Sequence, residues 1–514
     1  MTWTFRWEWA GASGSVEVAP QWSQRAALFG ATGDQIREAS ISTPLPGHDP
    51  IALAAIEPAY QAFGRLYRDD VLIIAGRWSD ASYDDAGVSL SIGQGERTDN
   101  ALIPATGTQI ELDLARYYEL AGVGGLAWHT VYLRSRQQTR VARVLKQAFV
   151  NAARKAIGRA GPMVIGAPGV TATGTRPGSP AYIIDEASPD KRLLIARHRV
   201  QASTVTVWGP GYAETVAAAA PVYIGVSYAV LHDADDDGDY AYVEIPALPP
   251  VTPIPPGLHA PAVDAEWYVA WDGGDALPGG AGSALLRLYA ASTLLVDVEA
   301  WQQAIPILDR WRVAGYIDEA VPPSELAARQ ILPLLPISVV MTARGLAPFL
   351  WPWLGGDRSE GHLIAGAGCA RAGAVRYLGL PSPRADWRYA YDPQTRELVG
   401  SLSVGVSDAY SIASRSALGR ADEVSAAWIW ADDVAQTLAM TRAAFASSPS
   451  RAVPYLCDAS RYGPGGSHEL RIGAPILLTD ATIGLDAVEA AVGEIEQDAD
   501  ALRVTVYLRD DVLR

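Results

Sequence analysis

Alternation opens the chain. Trp3, Phe5, Trp7 and Trp9 stand at every second position, separated by Thr4, Arg6 and Glu8. A period of two marks a strand with one buried face. The same reading predicts strands over 71–78 and 88–93, joined by the acidic turn Asp84-Asp85-Ala86-Gly87. A short helix is predicted within 50–66. Further strands are predicted over 181–185, 192–198, 204–208, 222–231, 240–245, 266–271 and 335–341. Short helices or turns fall at 301–308 and 326–332, and 284–295 is an ordered run. In the last third, 398–404, 470–473, 476–480, 488–492 and 502–508 read as strands, with Ile483-Gly484-Leu485 as a turn. The predicted class is mainly β with some α (α+β).

Two stretches carry the helical period instead. One is 422–446, which reads as an amphipathic helix inside a β run. The other is 134–159, where Val141, Val144, Leu145, Phe149, Val150, Ala153 and Ile157 are set against Arg140, Arg143, Lys146, Arg154 and Lys155. This basic face is either solvated or docks on an acidic patch of a partner subunit.

At 514 residues the chain is expected to hold about two to four domains. Proline marks one boundary, because Pro249, Pro250, Pro253, Pro255, Pro256 and Pro261 stiffen 247–262 into an extended linker. The divisions read from the sequence are 1–110 as a first β module and 111–161 as the basic helical segment. A β-rich insertion at 162–246, the linker at 247–262, an α+β region at 263–384 and a last β module at 385–514 follow.

Composition narrows the classes. Hydrophobic residues make up 49% and charged residues 19%, as in a folded globular chain. The net charge of −16 removes the basic footprint that wholesale nucleic-acid binding needs. Trp (16) and Tyr (22) far outnumber Phe (6), which suits interfaces and sugar-facing surfaces as well as ordinary packing at strand edges. The first nine residues lack the basic start and apolar run of a signal peptide. The most apolar stretch, 331–354, contains Arg344, Pro333, Pro336, Pro348 and Pro352, so it is expected to be buried or interface-facing and not a membrane span. Two cysteines, Cys369 and Cys457, are too few for a disulfide framework or a metal cluster, although they could pair with each other. A reducing compartment is expected, at least during assembly.

One motif points to a cation. Asp233, Asp235, Asp237 and Glu244 fall at positions one, three, five and twelve of a Ca²⁺ loop, with Gly238 at six. Oxygen ligands at alternate positions let a tight loop wrap a hard cation. The other reading is an acidic hairpin turn, since strands and not helices flank the loop. No catalytic residues are assigned. The sequence has no Gly-x-Ser-x-Gly elbow, His-Glu-x-x-His pair or phosphate-binding Gly-x-x-x-x-Gly-Lys-Ser/Thr loop. No cofactor is required.

Several stretches resemble the baseplate or tail-tip hub proteins of long-tailed bacteriophages. The first module runs strand, Gly76-Arg77, turn, strand, then Asp99-Asn100-Ala101-Leu102-Ile103-Pro104. The last opens on Arg388-Tyr389-Ala390-Tyr391-Asp392-Pro393, and Arg415 and Arg420 precede its helix. A looser match is Gly178-Ser179-Pro180-Ala181-Tyr182-Ile183-Ile184-Asp185 followed by the run from Arg192 to Val200. The resemblance covers mainly 1–110 and 385–514. It implies two β-barrel-like hub modules with an inserted β-rich middle region, and a homotrimer joining the six-fold tail tube and distal tail ring to a three-fold spike or fibre. DNA would meet the protein only in transit through its lumen. It also implies a place in the virion after assembly in the host cytoplasm, and a part in host attachment and genome ejection. The rival reading is a β-rich carbohydrate-active hydrolase using Trp platforms and a carboxylate pair. A Ca²⁺-dependent adhesion module is a third.

Overall fold

The computed structural model describes residues 3–9, 12–18, 21–25, 39–43, 63–84, 87–93, 111–112, 129–134, 139–144, 163–171, 174–175, 179–185, 191–196, 198–210, 223–225, 228–235, 238–245, 267–271, 279–292, 294–317, 320–335, 337–342, 344–350, 361–377, 382, 384–392, 397–405, 421–447, 450–497 and 501–509.

The N-terminal alternation forms β1 (Trp3–Trp9), which pairs antiparallel with β2 (Ala12–Val18). β3 (Gln21–Arg25), β4 (Ala39–Thr43), β5 (Phe63–Arg68), β6 (Val71–Asp84) and β7 (Gly87–Gly93) follow. Two more hairpins follow that of β1 and β2. Asp69 and Asp70 both adopt positive φ between β5 and β6, the geometry of a two-residue turn that matches strand twist and tolerates Asp. Asp84 pairs with Gly87 across the other, at the acidic turn predicted from the sequence.

β8 (Glu111–Leu112), β9 (His129–Arg134) and β10 (Thr139–Val144) form a small antiparallel sheet. This corrects the helix predicted over 134–159, at least as far as Val144. Six residues, Thr139 to Val144, fit a period of two about as well as one of 3.6, and their β-branched members favour the strand. The rest of that stretch, 145–159, lies outside the described residues. So do 50–62 of the predicted first helix, the linker 247–262 and the segments around Asp99–Pro104, Arg415 and Arg420.

The middle of the chain supplies β11 (Met163–Ile165), the short hairpin β12 (Val170–Thr171) and β13 (Gly174–Thr175), β14 (Ser179–Asp185), β15 (Lys191–Ala196), β16 (Thr206–Pro210), β17 (Tyr223–Gly225), β18 (Ala229–Asp235), β19 (Gly238–Ile245) and β20 (Trp267–Ala270). A seven-stranded sheet has the order β17-β16-β20-β14-β15-β19-β18. β20 follows the proline-rich stretch yet sits between β14 and β16. The stretch therefore leads back into the insertion, and does not end it. The packing agrees, since Leu193, Ile195, Val207, Val243, Val269 and Trp271 share one core.

Next come α1 (Ala281–Ala291), α2 (Val298–Leu308), β21 (Gly315–Ile317), the short α3 (Pro323–Leu326), and the hairpin of β22 (Ile337–Thr342) with β23 (Gly345–Leu350). Asp297 caps α2 by accepting from Ala300 N–H at 3.1 Å. Ile331, Leu332, Leu334, Leu335, Ile337 and Val339 are buried, so this part of the apolar stretch lies in the core.

The last part begins with β24 (Gly361–Ile364), β25 (Cys369–Arg371), β26 (Arg376–Tyr377), β27 (Arg384–Asp392), β28 (Glu397–Gly405) and β29 (Asp422–Ala426). α4 (Asp432–Ala446), β30 (Ser450–Asp458), α5 (Ala459–Tyr462), β31 (Pro475–Asp480), β32 (Leu485–Gln497) and β33 (Ala501–Arg509) complete it. The helix expected over 422–446 is thus shorter at its start, because 422–426 is a strand running parallel to β27. Backbone pairing with a neighbour overrides the weak helical pattern of Asp-Glu-Val-Ser-Ala.

Among the described residues, the largest sheet holds 14 strands, with a path β2-β1-β5-β6-β7-β4-β3-β32-β33-β30-β25. The two ends of the chain meet in it. Their interior is also shared, since Trp3, Phe5 and Leu66 lie in one cluster with Tyr455, Ile495, Val504, Val506 and Tyr507. β27, β29 and α4 pack elsewhere, in a second cluster with α1, α2 and the 331–346 segment. Gly315 permits one of those contacts, because a Cβ there would stand 2.3 Å from the Trp428 ring. The cores therefore divide 385–514, which the sequence reading treats as one module. The fold is β-rich α+β.

Candidate functional site

The join between the chain's two ends is built from two sets of contacts. β3 pairs antiparallel with β32, with Trp22 opposite Gln497 and Arg25 opposite Glu494. Behind the sheet, Arg68 ends β5 with only 4% exposure. Its Nη1 donates to Pro464 O at 2.9 Å and Ala459 O at 3.3 Å, and Nη2 donates to Ala459 O at 3.3 Å. The guanidinium also lies 5.7 Å from the centroid of the Trp3 ring, within cation–π range. A Cβ on Gly463 would come 2.7 Å from Arg68 Nη1 and 2.5 Å from Ala459 O. Glycine there keeps the slot open.

Within the C-terminal strands of the same sheet, Tyr455 Oη donates to Asp480 Oδ2 at 3.0 Å, and Asp480 Oδ1 accepts from Thr482 N at 2.9 Å and Thr482 Oγ1 at 2.6 Å. Burial alone would raise the Asp480 carboxyl, but the bonds from Thr482 and Tyr455 outweigh it and hold it below the ordinary value. The Tyr455 hydroxyl is pushed up, first by burial and then by its bond to Asp480. Other carboxylates also serve as structural acceptors. Asp309 receives Ser283 N at 2.9 Å and Ser283 Oγ at 2.5 Å, Asp422 pairs with Arg442, and Asp386 accepts from Ser403 Oγ at 2.6 Å.

Among the described residues, tryptophan is used largely as core. Trp3, Trp271, Trp301, Trp387, Trp428 and Trp430 are buried. The Trp301 indole donates to Leu346 O at 3.0 Å, and its ring lies 5.5 Å from that of Tyr289. The packing reading of these residues is the one they follow, rather than that of an exposed sugar platform.

The Ca²⁺-loop residues lie on a β-hairpin. Asp233 is opposite Tyr240 and Asp235 is opposite Gly238, with β18 and β19 flanking the turn. Asp237 and the side chains of Asp233 and Asp235 lie outside the described residues. Glu244 is opposite Ala229, four ladder positions from the Asp233–Tyr240 pair. That is about 13 Å along the strand at ~3.3 Å per residue, so the backbone does not wrap as a twelve-residue ion loop does. Asp239, next to the turn, pairs with Arg199 at 3.0 Å. Among the described residues, no group of three or more His, Cys, Asp or Glu is placed to hold a metal.

The sequence reading does not single out Arg68. Its signal there is slight: a single Arg before a two-Asp turn, whose side-chain acceptors lie hundreds of residues away.

No helix among the described residues is long and apolar enough to cross a membrane, which says nothing of a β-barrel. No protein-family model matches the chain, and no curated protein matches it. Among solved structures, the chain is similar to the 43 kDa tail protein of prophage MuSo2 from Shewanella oneidensis. Identity is 13%, coverage 99% of this chain and 100% of that one, and the TM-score 0.37. A chain of the virion of the native gene transfer agent particle gives 13% identity, coverage of 70% and 86%, and a TM-score of 0.40. The tail protein from Neisseria meningitidis MC58 gives 7% identity, coverage of 100% and 98%, and a TM-score of 0.38. At such TM-scores and identities these likenesses carry no argument about what this chain does.

Proposed function

We propose that this chain is a structural protein of a phage tail, acting as a central baseplate or tail-tip hub and not as an enzyme. In this reading it forms a homotrimer. It joins the tail tube and distal tail proteins on one side to a spike or fibre on the other, and leaves a channel through which DNA passes. The observation that supports the reading is the joining of the chain's ends. Strands from 3–93 and 450–509 form neighbouring halves of one sheet around one core, with the rest of the chain carried between them. A single body made from both ends of the chain suits a ring subunit, which must transmit load without its halves separating. The net charge of −16 would keep a DNA channel from adhering to phosphate. Residence in the virion tail after assembly in the host cytoplasm belongs to the same proposal.

Light scattering on the purified chain at micromolar concentration tests it. The expected mass is three times 54.6 kDa, unchanged in chelator, because a cation at the Asp233–Asp237 hairpin is not needed by the join. A monomer that also stays apart when mixed with tail-tube and distal-tail proteins would overturn the hub reading. Trimers that dissociate in chelator would instead make the acidic hairpin a structural calcium site.

A further inference from the structure

The only two cysteines of the 514-residue chain face each other across two strands. Cys369 is in β25 and Cys457 in β30, and they are register partners in an antiparallel pair. The neighbouring hydrogen bonds identify the kind of pair. Asp458 N donates to Gly368 O at 2.7 Å, and Ala372 N donates to Pro454 O at 2.8 Å. Positions 368 and 372 are therefore hydrogen-bonded positions, and 369, an odd step from both, is a non-hydrogen-bonded one. In such pairs the Cα atoms approach to about 4.5 Å and the side chains lie on the same face. That separation is within the range of about 4.4–6.8 Å that a disulfide spans without backbone movement.

Both thiols are free and buried. The Cys369 thiol donates to Ile364 O at 3.2 Å. The two thiols also differ in acidity. A hydrogen bond from Cys457 holds the Cys369 thiol below its ordinary value, whereas the same bond together with burial pushes Cys457 up. β25 spans three residues at the end of the sheet path, and Ala370 and Arg371 beside Cys369 are exposed. A short edge strand opens locally at small cost, which gives a small reagent access to Sγ.

We propose that Cys369 and Cys457 form a cross-strand dithiol that closes to a disulfide when the folded protein meets a low-molecular-weight disulfide. The Cys369 thiolate attacks one sulfur of the reagent and displaces the first small thiol, leaving a mixed disulfide. Cys457 then attacks Cys369 Sγ, giving up its proton, and the second small thiol departs. Two protein thiols are oxidised and one small disulfide is reduced to two thiols, so atoms and electrons balance. The closed bond would tie the margin of the large sheet, with the turn at 365–368 that leads into it, to β30. This inference does not rest on the tail-hub reading.

The test is to incubate the folded, reduced protein with excess oxidised glutathione, quench with acid and analyse it by intact mass spectrometry and thiol titration in denaturant. The expected result is a mass lower by two hydrogens, loss of both titratable thiols, one linked peptide containing Cys369 and Cys457 on digestion, and reversal by dithiothreitol. Cys457→Ser should stop at a stable glutathione adduct on Cys369. Because that variant could fail to fold, the wild-type mass decides the matter alone. Two thiols still titratable after oxidation, a persistent glutathione adduct on the wild type, or linkage only between separate chains would each overturn the proposal.

Discussion

Arg68 donates to the carbonyl of Ala459 across 391 residues of chain. Both groups are shielded from water, and Pro464 O shares the same guanidinium. Replacing Arg68 with Met keeps much of the apolar stem but leaves two carbonyls without this donor. Buried acceptors stripped of a charged donor cost about 1–3 kcal/mol, so Arg68→Met is expected to lower stability by ~2 kcal/mol. Hydrogen exchange should show the effect in 63–68 and 459–464 first. Uniform loss of protection over the whole chain would show that Arg68 matters to global stability and not to the join.

A second buried charge holds the helix of the other core. Arg442 of α4 pairs with Asp422 of β29, and it also donates to Pro333 O. The Arg442 side chain is 9% exposed and that of Asp422 is 24% exposed. Asp422→Ala strands a buried cation and is expected to cost about 3 kcal/mol, read as a lower urea midpoint. Joining it with Arg442→Met should restore part of the loss, because the uncompensated charge has gone. If the double variant is no better than the single one, the hydrogen bond to Pro333 and the packing of the Arg stem are the larger contributions.

His198 predicts a pH dependence. Its Nε2 accepts from Val164 N at 3.1 Å, while Nδ1 donates to Arg199 O at 2.8 Å. That arrangement needs the neutral ring. Burial is the leading cause that holds its pKa below the ordinary 6.5. The unfolded chain therefore takes up a proton at higher pH than the folded one. Stability from this group is complete above about 6.5 and falls as pH drops below it. Melting curves from pH 7 to 5 should slope more for the wild type than for His198→Gln, which does not titrate. Equal slopes would assign the dependence to other groups.

The parts of the fold with local signatures were legible in the sequence. Trp3-Thr4-Phe5-Arg6 shows its strand by alternation alone, and Gly484, with φ of 74°, takes the left-handed position expected of the turn before β32. Residues 139–144 and 422–426 were harder, because in five or six residues a helical and a strand period overlap. Neither the β3–β32 pairing nor the return of β20 into the seven-stranded sheet was legible. Ladder hydrogen bonds use backbone groups that every residue has, so they leave little trace in residue type. The acidic hairpin illustrates the same limit. The spacing of Asp233, Asp235, Asp237 and Glu244 suits an ion loop, yet what the backbone does between them is settled by the strand register. For the cysteines, the sequence left pairing open, and only the register between β25 and β30 shows that they face each other.

The pairing of β3 with β32 also sets an order of events during synthesis. Trp22 cannot meet Gln497 until the chain up to that residue, 475 positions further on, has left the ribosome. At about 5–20 residues per second, the first strands wait on the order of half a minute or longer with one edge open. Over that interval β3 offers unpaired backbone to any other nascent copy, the usual route to misassembly. β32 therefore releases β3 from risk, and a chain cut short before 485 would leave β3 permanently exposed to such pairing.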